Sequence, residues 1–150
     1  MKVGDILRKK TARISTIRMN ETVAIAAQLM RAGNVSALVV KDVVRTEGNT
    51  AVGMFTERDV VRAFAKDGAR LADMHVRDLM TREVTTCTQE TSMVEAEKLM
   101  NKLRVRHLPV MDGGRLVGML SIRDVMVWRQ QEARDEVNVL RDVMIAVRNR

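Results

Sequence analysis

The 150-residue chain is 46% hydrophobic and 30% charged, with a formal net charge of +7, and this composition predicts one compact unit rather than several independent domains. Its apolar runs are too short to cross a bilayer, so we expect a cytoplasmic protein without membrane contact. A single cysteine and two histidines exclude an internal disulfide and any metal-ligand cluster of recognisable spacing.

The chain begins with a basic segment. Residues 3–7 form a short apolar lead-in, basic turns follow, and residues 13–18 are a strand candidate. Six basic residues against Asp5 alone give the first twenty residues a net charge of +5. This patch is either a solvated face or a site for an anionic ligand or partner. Nucleic acid is the weaker option, because three aromatic residues and no tyrosine give few platforms on which bases could stack.

A helix and a strand come next. Residues 21–31 are rich in alanine, leucine and methionine and predict a helix, with Asn20 or Thr22 as its cap and Gly33 as its stop. Residues 35–41 predict a buried strand. A hairpin arm at residues 43–50 then leads into a further strand.

The first copy of the pattern closes with that strand, at residues 51–56, and a helix at residues 59–66. Val60, Val61 and Phe64 lie on one face of this helix, which we expect to be apolar and packed. Gly68 follows its end and predicts a stop.

The same elements return about 70 residues later. Residues 76–79 echo residues 3–6, and Thr86 and Leu108 follow Thr16 and Leu38 by 70 positions. We expect a strand at residues 84–87, a helix with a capping box at Ser92, a strand through residues 108–110, and a tight hairpin at residues 112–114. Two copies of strand, helix, strand, strand, helix therefore predict an α+β fold with two repeats packed about a pseudo-twofold axis.

Both copies end in a strand followed by Gly-x-x-Thr/Ser-x-x-Asp, from Gly53 to Asp59 and from Gly118 to Asp124. With this ordered series in duplicate, residues 3–130 resemble a pair of cystathionine β-synthase (CBS) domains, an arrangement called a Bateman module. The resemblance implies a regulatory module without catalytic activity that binds AMP, ADP, ATP, S-adenosylmethionine or NAD between its repeats and forms homodimers. It assigns residues 1–70 and 71–130 to the two repeats and residues 131–150 to a C-terminal helical tail.

The chemistry of the motif fits such a ligand. A carboxylate can accept hydrogen bonds from both ribose hydroxyls, and hydroxyls and free amides at a helix start form an anion site that arginine can extend. The residues with these roles are, for ribose, Asp59 and Asp124; for phosphate, Thr56, Ser121, Arg58 and Arg123. The alternative is plain helix capping, in which the same side chains bond backbone amides and no ligand.

The base of the ligand needs an apolar pocket. We expect its lining to include Val35, Ala37, Val105 and the strand residues Thr16, Ile17, Thr86 and Cys87. His107 occupies the place of Ala37 in the second copy, so the two sites need not be equivalent. This histidine either adds positive charge near a phosphate tail or is partly buried and bonded to backbone.

The tail carries apolar residues at spacings of four and three along one helix continuous with the last repeat helix. The seam consists of Met126, Gln130, Ala133, Val137, Leu140, Met144 and Val147. It packs either onto the chain's own body or onto a second subunit.

These observations favour an adenine-nucleotide-sensing module that acts on a separate, unidentified effector protein, since we expect no fused effector domain. The alternative is a nucleic-acid-associated regulator that uses the basic N-terminus. We do not expect an enzyme, because no nucleophile with a nearby base, no catalytic carboxylate pair and no metal cluster can be assembled from the sequence.

Overall fold

A computed structural model describes residues 1–10, 14–42 and 51–150. The predicted hairpin arm at residues 43–50 and residue 13 lie outside the described residues. The elements in chain order are α1 (Val3–Lys9), β1 (Thr16–Arg18), α2 (Val23–Gly33), β2 (Ala37–Lys41), β3 (Ala51–Thr56), α3 (Glu57–Asp67), a 3-10 helix (Gly68–Asp73), α4 (Val76–Leu79), α5 (Met93–Leu103), β4 (His107–Asp112), β5 (Arg115–Ser121) and α6 (Ile122–Arg148). The predicted α+β class and the two-copy order of elements are confirmed. Among the described residues, no helix is long and apolar enough to span a membrane.

Each repeat contains a small sheet. In the first, β1 runs parallel to β2 and β2 pairs antiparallel with β3; in the second, β4 pairs antiparallel with β5. Both hairpins change register at equivalent places, after Val40 and after Val110, which lie 70 residues apart. The predicted tight turn between β4 and β5 is present, with Gly113 and Gly114 at φ values of 54° and 83°.

The strand predicted at residues 84–87 is wrong, because only Cys87 pairs, in an isolated parallel bridge to Val110. A single substitution gives the reason. In the first repeat the Val39 N–H donates to the Ser15 carbonyl at 3.0 Å, and this bond helps to seat the start of β1. The equivalent residue in the second repeat is Pro109, which has no N–H to donate. The ladder therefore cannot extend back from Cys87.

The helix caps follow the sequence closely. Thr22 accepts a hydrogen bond from the Ile25 N–H at 3.3 Å, and Ser92 and Glu95 form the predicted capping box. Gly33, predicted as a stop, is the last helical residue of α2, and Asn34 takes the left-handed cap with φ of 49°. Asparagine tolerates this conformation because its short polar side chain bonds locally.

The apolar face predicted for α3 is only partly packed. Val60 contacts the first core, whereas Val61 and Phe64 are 67% and 61% exposed. Ala63 is the buried residue of this helix. An amphipathic pattern marks a face for burial but does not say which surface will cover it.

Three apolar clusters hold the fold together. The first core lies between the β1–β3 sheet and its helices and includes Leu38 and Val40, while a second core around Leu108 and Trp128 serves the other repeat. The third cluster contains Ala37, Val39 and Met54, packed against Leu116 and Met119 of the second sheet. Because successive side chains of β2 point alternately to the first core and to the facing repeat, this strand is buried on both faces.

The short helices that begin the two repeats, α1 and α4, are called the lead helices here. Each of them packs into the core of the opposite repeat. Val3 of α1 is fully buried in the second core, and its N–H donates to the Thr91 carbonyl at 2.8 Å. Val76 of α4 is fully buried in the first core, and its N–H donates to the Glu21 carbonyl at 2.9 Å. Each repeat therefore completes the core of the other.

The chain beside each lead helix passes close to a glycine of the opposite sheet. A Cβ on Gly53 would lie 2.6 Å from the Thr81 carbonyl oxygen, and a Cβ on Gly118 would lie 2.7 Å from Cδ1 of Leu7. Both distances are too short for a real Cβ. At Gly53 the obstacle is a backbone oxygen, so glycine is required there, whereas at Gly118 it is the end of a leucine side chain, which can shift.

The C-terminal helix α6 is one unbroken helix of 27 residues, as the seam predicts. Its first turns are fixed by Val125 and Trp128, which are buried in the second core, and by Arg129, whose Nη2 lies 2.5 Å from Oε2 of Glu97. All of residues 131–150 are exposed. The tail therefore does not pack back onto the part of the body that the structure describes.

Candidate functional site

Two clefts lie between the repeats and are related by the pseudo-twofold axis. The larger, about 970 Å³, is formed by the start of α6 with residues 14–15 and 34–37 of the first repeat, and we call it the α6 cleft. The smaller, about 610 Å³, is formed by the start of α3 with residues 83–85 and 103–107 of the second repeat, and we call it the α3 cleft. Each cleft thus joins a strand-to-helix turn of one repeat to a wall from the other.

The motif carboxylates cap the helices at whose starts they lie. Asp59 Oδ2 accepts from the Thr56 N–H at 2.9 Å and from its hydroxyl at 3.2 Å. Asp124 Oδ2 accepts from the Ser121 N–H at 2.8 Å and from its hydroxyl at 3.0 Å. The capping interpretation is therefore realised in both repeats. Within the described part of the chain these bonds engage Oδ2, so the second oxygen, Oδ1, is left for another donor.

The α6 cleft contains a cation that the motif did not indicate. Lys10, just after α1, donates to the Met119 carbonyl at 2.8 Å and to Asp124 Oδ2 at 2.9 Å. Its side chain is 27% exposed and that of Asp124 is 16% exposed, so this ion pair is largely shielded from water. Because Lys10 lines the cleft, the pair links the lead helix of one repeat to the helix start of the other.

His107 lies at the wall between the two clefts and lines both. Its Nε2 is 3.2 Å from the Ser36 hydroxyl, so its partner is a side chain rather than backbone. Burial, with the nearby charges of Arg106 and Lys10, lowers the pKa of His107. The imidazole is therefore neutral at pH 7, and it does not add the positive charge considered from the sequence.

The structure brings most of the predicted site residues to the clefts. Those that line the α6 cleft are Val35, Ala37, Ser121 and Arg123, with Asp124 held at its edge by Lys10; those that line the α3 cleft are Thr56, Arg58, Asp59 and Val105.

Four predicted pocket residues do not line either cleft. Ile17 and Cys87 are buried in the first and second cores, and Thr16 and Thr86 are also absent from the linings. The residues two positions earlier take their place, namely Ile14, Ser15, Val84 and Thr85. The chain crosses each cleft before its side chains turn into the core, and the sequence alone does not reveal that shift.

Sequence reasoning also missed several charged residues of the linings, which include Lys10, Arg31, Glu57, Arg62, Glu83 and Arg104. A sequence offset could have indicated two of them, Lys10 and Glu83. Residues 76–79 follow residues 3–6 by 73 positions, and the same offset places Glu83 where the first repeat has Lys10.

One reactive group outside the motif is the thiol of Cys87, which is buried. Burial raises the pKa of the Cys87 thiol to about 11, which suppresses the nucleophilic thiolate at neutral pH. Among the residues that the structure describes, no group of three His, Cys, Asp or Glu side chains is placed to hold a metal ion.

Comparison with known proteins identifies the repeats. The sequence model of the CBS domain matches residues 3–66 and 76–130. The mitochondrial CBS domain-containing protein CBSX3 of Arabidopsis thaliana is 37% identical over 123 residues, which are 81% of this chain and 59% of that protein. The chain thus spans less than two thirds of the length of this relative.

Solved structures share the fold. The CBS-domain containing protein ATU1752 from Agrobacterium tumefaciens superposes with a TM-score of 0.80 at 34% identity, covering 85% of this chain and 92% of that one. The CBS domain pair of protein MJ0100, solved with 5'-methylthioadenosine and S-adenosyl-L-methionine, superposes with a TM-score of 0.76 at 24% identity, covering 88% of this chain and 98% of that one.

Proposed function

This chain belongs to the CBS domain family, whose paired domains are regulatory modules, and we propose that it senses an adenosine-containing small molecule in the clefts between its repeats and signals to a separate partner. The observation that carries the proposal is the pair of symmetry-related clefts, each built from a helix start and the wall of the opposite repeat. The binding of two adenosine derivatives by a protein of the same fold supports it.

The groups around each cleft match the parts of such a ligand. Oδ1 of Asp59 or Asp124 accepts a ribose hydroxyl while Oδ2 keeps the helix cap. The amides of the first helical turn, with Arg58 or Arg123, bind phosphate oxygens. The base lies against the apolar wall, which in the α6 cleft includes Val35.

Signalling follows from the position of the clefts. A ligand that contacts a helix start on one side and the facing repeat on the other favours the closed arrangement by its differential affinity for that arrangement. At a ligand concentration about 100 times Kd, linkage stabilises the bound state by about 2.7 kcal/mol. A partner that recognises the closed arrangement then reads ligand concentration without any chemical step.

The experiment is calorimetry against AMP, ADP, ATP, S-adenosylmethionine and NAD with wild type, Asp59→Asn and Asp124→Asn. Asparagine keeps one cap acceptor but loses the second carboxylate oxygen, so each variant should lose at least tenfold in affinity at one cleft and little stability. Asp78→Asn is the matched control, because Asp78 caps α4 in the same way and lines neither cleft. Wild-type binding in both cleft variants would reject the site, and no binding to any compound would reject the function.

We also propose that the module self-associates. Apolar side chains remain exposed on α3 and α6, including Phe64, Met126, Val137, Leu140 and Met144. A second copy of the chain can cover these faces as a homodimer, with the tail helices paired along their seam. Light scattering should give twice the monomer mass, and Leu140→Glu should lower it while Val139→Glu, which lies off the seam, should not. A monomeric wild type at micromolar concentration would remove the proposal.

The structure does not favour the nucleic-acid alternative. Among the described basic residues near the N-terminus, two are paired on the surface, Lys2 with Glu90 and Arg8 with Asp5, and Lys10 lines the α6 cleft. Binding along a nucleic-acid backbone needs several cations on one outer face that are free to replace counterions.

A further inference from the structure

We infer that the two clefts select ligands of opposite charge character: the α6 cleft takes an adenosine ligand with a di- or triphosphate tail, whereas the α3 cleft takes one with a single phosphate, none, or a positive group. This inference rests on the proposed function and adds the ligand class of each cleft. It depends on a charge difference between the segments that follow the two lead helices, where Lys10 lines the α6 cleft and Glu83 lines the α3 cleft.

Lys10 is built into its cleft. Its ammonium group has three N–H donors, and two are used by the Met119 carbonyl and by Asp124 Oδ2. These two bonds fix the ammonium beside the start of α6, and the third donor is available to a phosphate oxygen. Because the side chain is largely shielded, its attraction for an anion is screened less than that of a surface lysine.

Glu83 reverses this charge in the α3 cleft. It is exposed and lines the cleft together with Asp59, whose partners in the described residues are the amide and hydroxyl of Thr56 rather than a lysine. A polyphosphate tail that extended from the start of α3 toward Glu83 would meet like charge. A neutral or cationic group at the same place would not.

The charges of the described lining residues point the same way. Among these residues four basic side chains line each cleft, but the α6 cleft has one acidic residue, Glu57, and the α3 cleft has three, which are Glu57, Asp59 and Glu83. Asp124 partly offsets Lys10 from outside the α6 lining, yet the ammonium keeps its free donor. The α6 cleft is also the larger, at about 970 Å³ against about 610 Å³, so it has room for a longer tail.

Two methionines can report which cleft is occupied. Met119 lines the α6 cleft and Met54 lines the α3 cleft, at positions 65 residues apart. Their methyl resonances in 13C-methyl-methionine protein can be followed while ATP or adenosine is added. We expect ATP to shift Met119 at a concentration at least tenfold below that needed for Met54, and adenosine to shift both with midpoints within about threefold.

Charge variants then test the cause. Lys10→Met should raise the ATP midpoint at Met119 at least fivefold and the adenosine midpoint by much less, because adenosine has no phosphate, while Lys9→Met, an adjacent charge removal outside both linings, should change neither. Glu83→Lys, at an exposed residue, should lower the ATP midpoint at Met54 at least fivefold.

The outcomes separate the two proposals. If adenosine shifts both methyls but ATP shows no preference, or if Lys10→Met behaves like Lys9→Met, the charge inference is wrong and the binding function stands. If neither compound shifts either methyl, the charge inference is wrong; if calorimetry against AMP, ADP, S-adenosylmethionine and NAD also shows no binding, the proposed function fails with it.

Discussion

The exchange of lead helices predicts that the two repeats unfold as one cooperative unit. Val3 and Val76 occupy equivalent places in α1 and α4, both are 0% exposed, and each lies in the core of the opposite repeat. Replacing either by alanine removes two buried carbon groups and leaves a small cavity, which should cost about 2–3 kcal/mol in the free energy of unfolding. For a chain of this size that loss lowers Tm by roughly 4–12 °C.

The assay uses the single tryptophan, Trp128, which is 4% exposed and belongs to the second core together with Val3. Urea unfolding followed by its fluorescence should show lower midpoints for both Val3→Ala and Val76→Ala, by about 1 M, with unchanged slopes. The second variant is decisive because Val76 is in the other core. If Val76→Ala leaves the Trp128 transition unmoved while it alters the circular dichroism, the repeats unfold separately and the reasoning is refuted.

Other perturbations have clear expected results. Gly53→Ala should destabilise by about 1–3 kcal/mol and more than Gly118→Ala, because its Cβ meets the rigid Thr81 carbonyl rather than a movable leucine side chain; chemical denaturation of both variants compares them, and equal losses would contradict this account. The lowered pKa of His107 means that the unfolded chain takes up the proton first, so stability should fall as pH drops below about 6.5, and His107→Gln should remove this component in melting curves. Cys87, with its pKa raised to about 11, should react with iodoacetamide at pH 8 much more slowly in the native protein than in urea, and equal rates would show that the thiol is accessible.

The capping geometry changes one expectation about the ribose carboxylates. From sequence, replacing Asp59 or Asp124 by alanine should leave the stability of the free protein almost unchanged. Both carboxylates bond the backbone N–H of a helix cap, and Asp124 also holds Lys10. Loss of such a cap costs about 0.5–2 kcal/mol, so alanine variants would mix folding with binding.

The parts of the site that could be predicted are those fixed by local chemistry. Thr56 with Asp59 and Ser121 with Asp124 lie three residues apart at a strand-to-helix turn, and that spacing brings each pair together whatever the rest of the chain does. The order of the helices and strands could also be predicted, because the same residue pattern occurs twice in the chain.

The parts of the site that could not be predicted depend on which core or cleft each helix and strand packs against. Ile17 belongs to β1, which has only three residues, so its pattern is too short to show that Ile17 points to a core and that Ser15 lies at the cleft. The exchange of α1 and α4 is hidden for the same reason, because a short apolar helix fits either core. Val61 and Phe64 follow a packing pattern but are 67% and 61% exposed.

Because α6 is long and begins at the α6 cleft, a small tilt of the helix at the cleft moves its far end by several ångströms. This single helix begins beside Ser121, which lines the cleft, and continues for 27 residues, or about 40 Å at 1.5 Å per residue. Because it contains no break, it acts as a rigid arm with its pivot at the body of the molecule. The helix is held in the body as far as Arg129, so about 28 Å of it projects beyond the pivot. A tilt of about 10° there would carry the far end through roughly 5 Å, a movement that a neighbouring protein can detect.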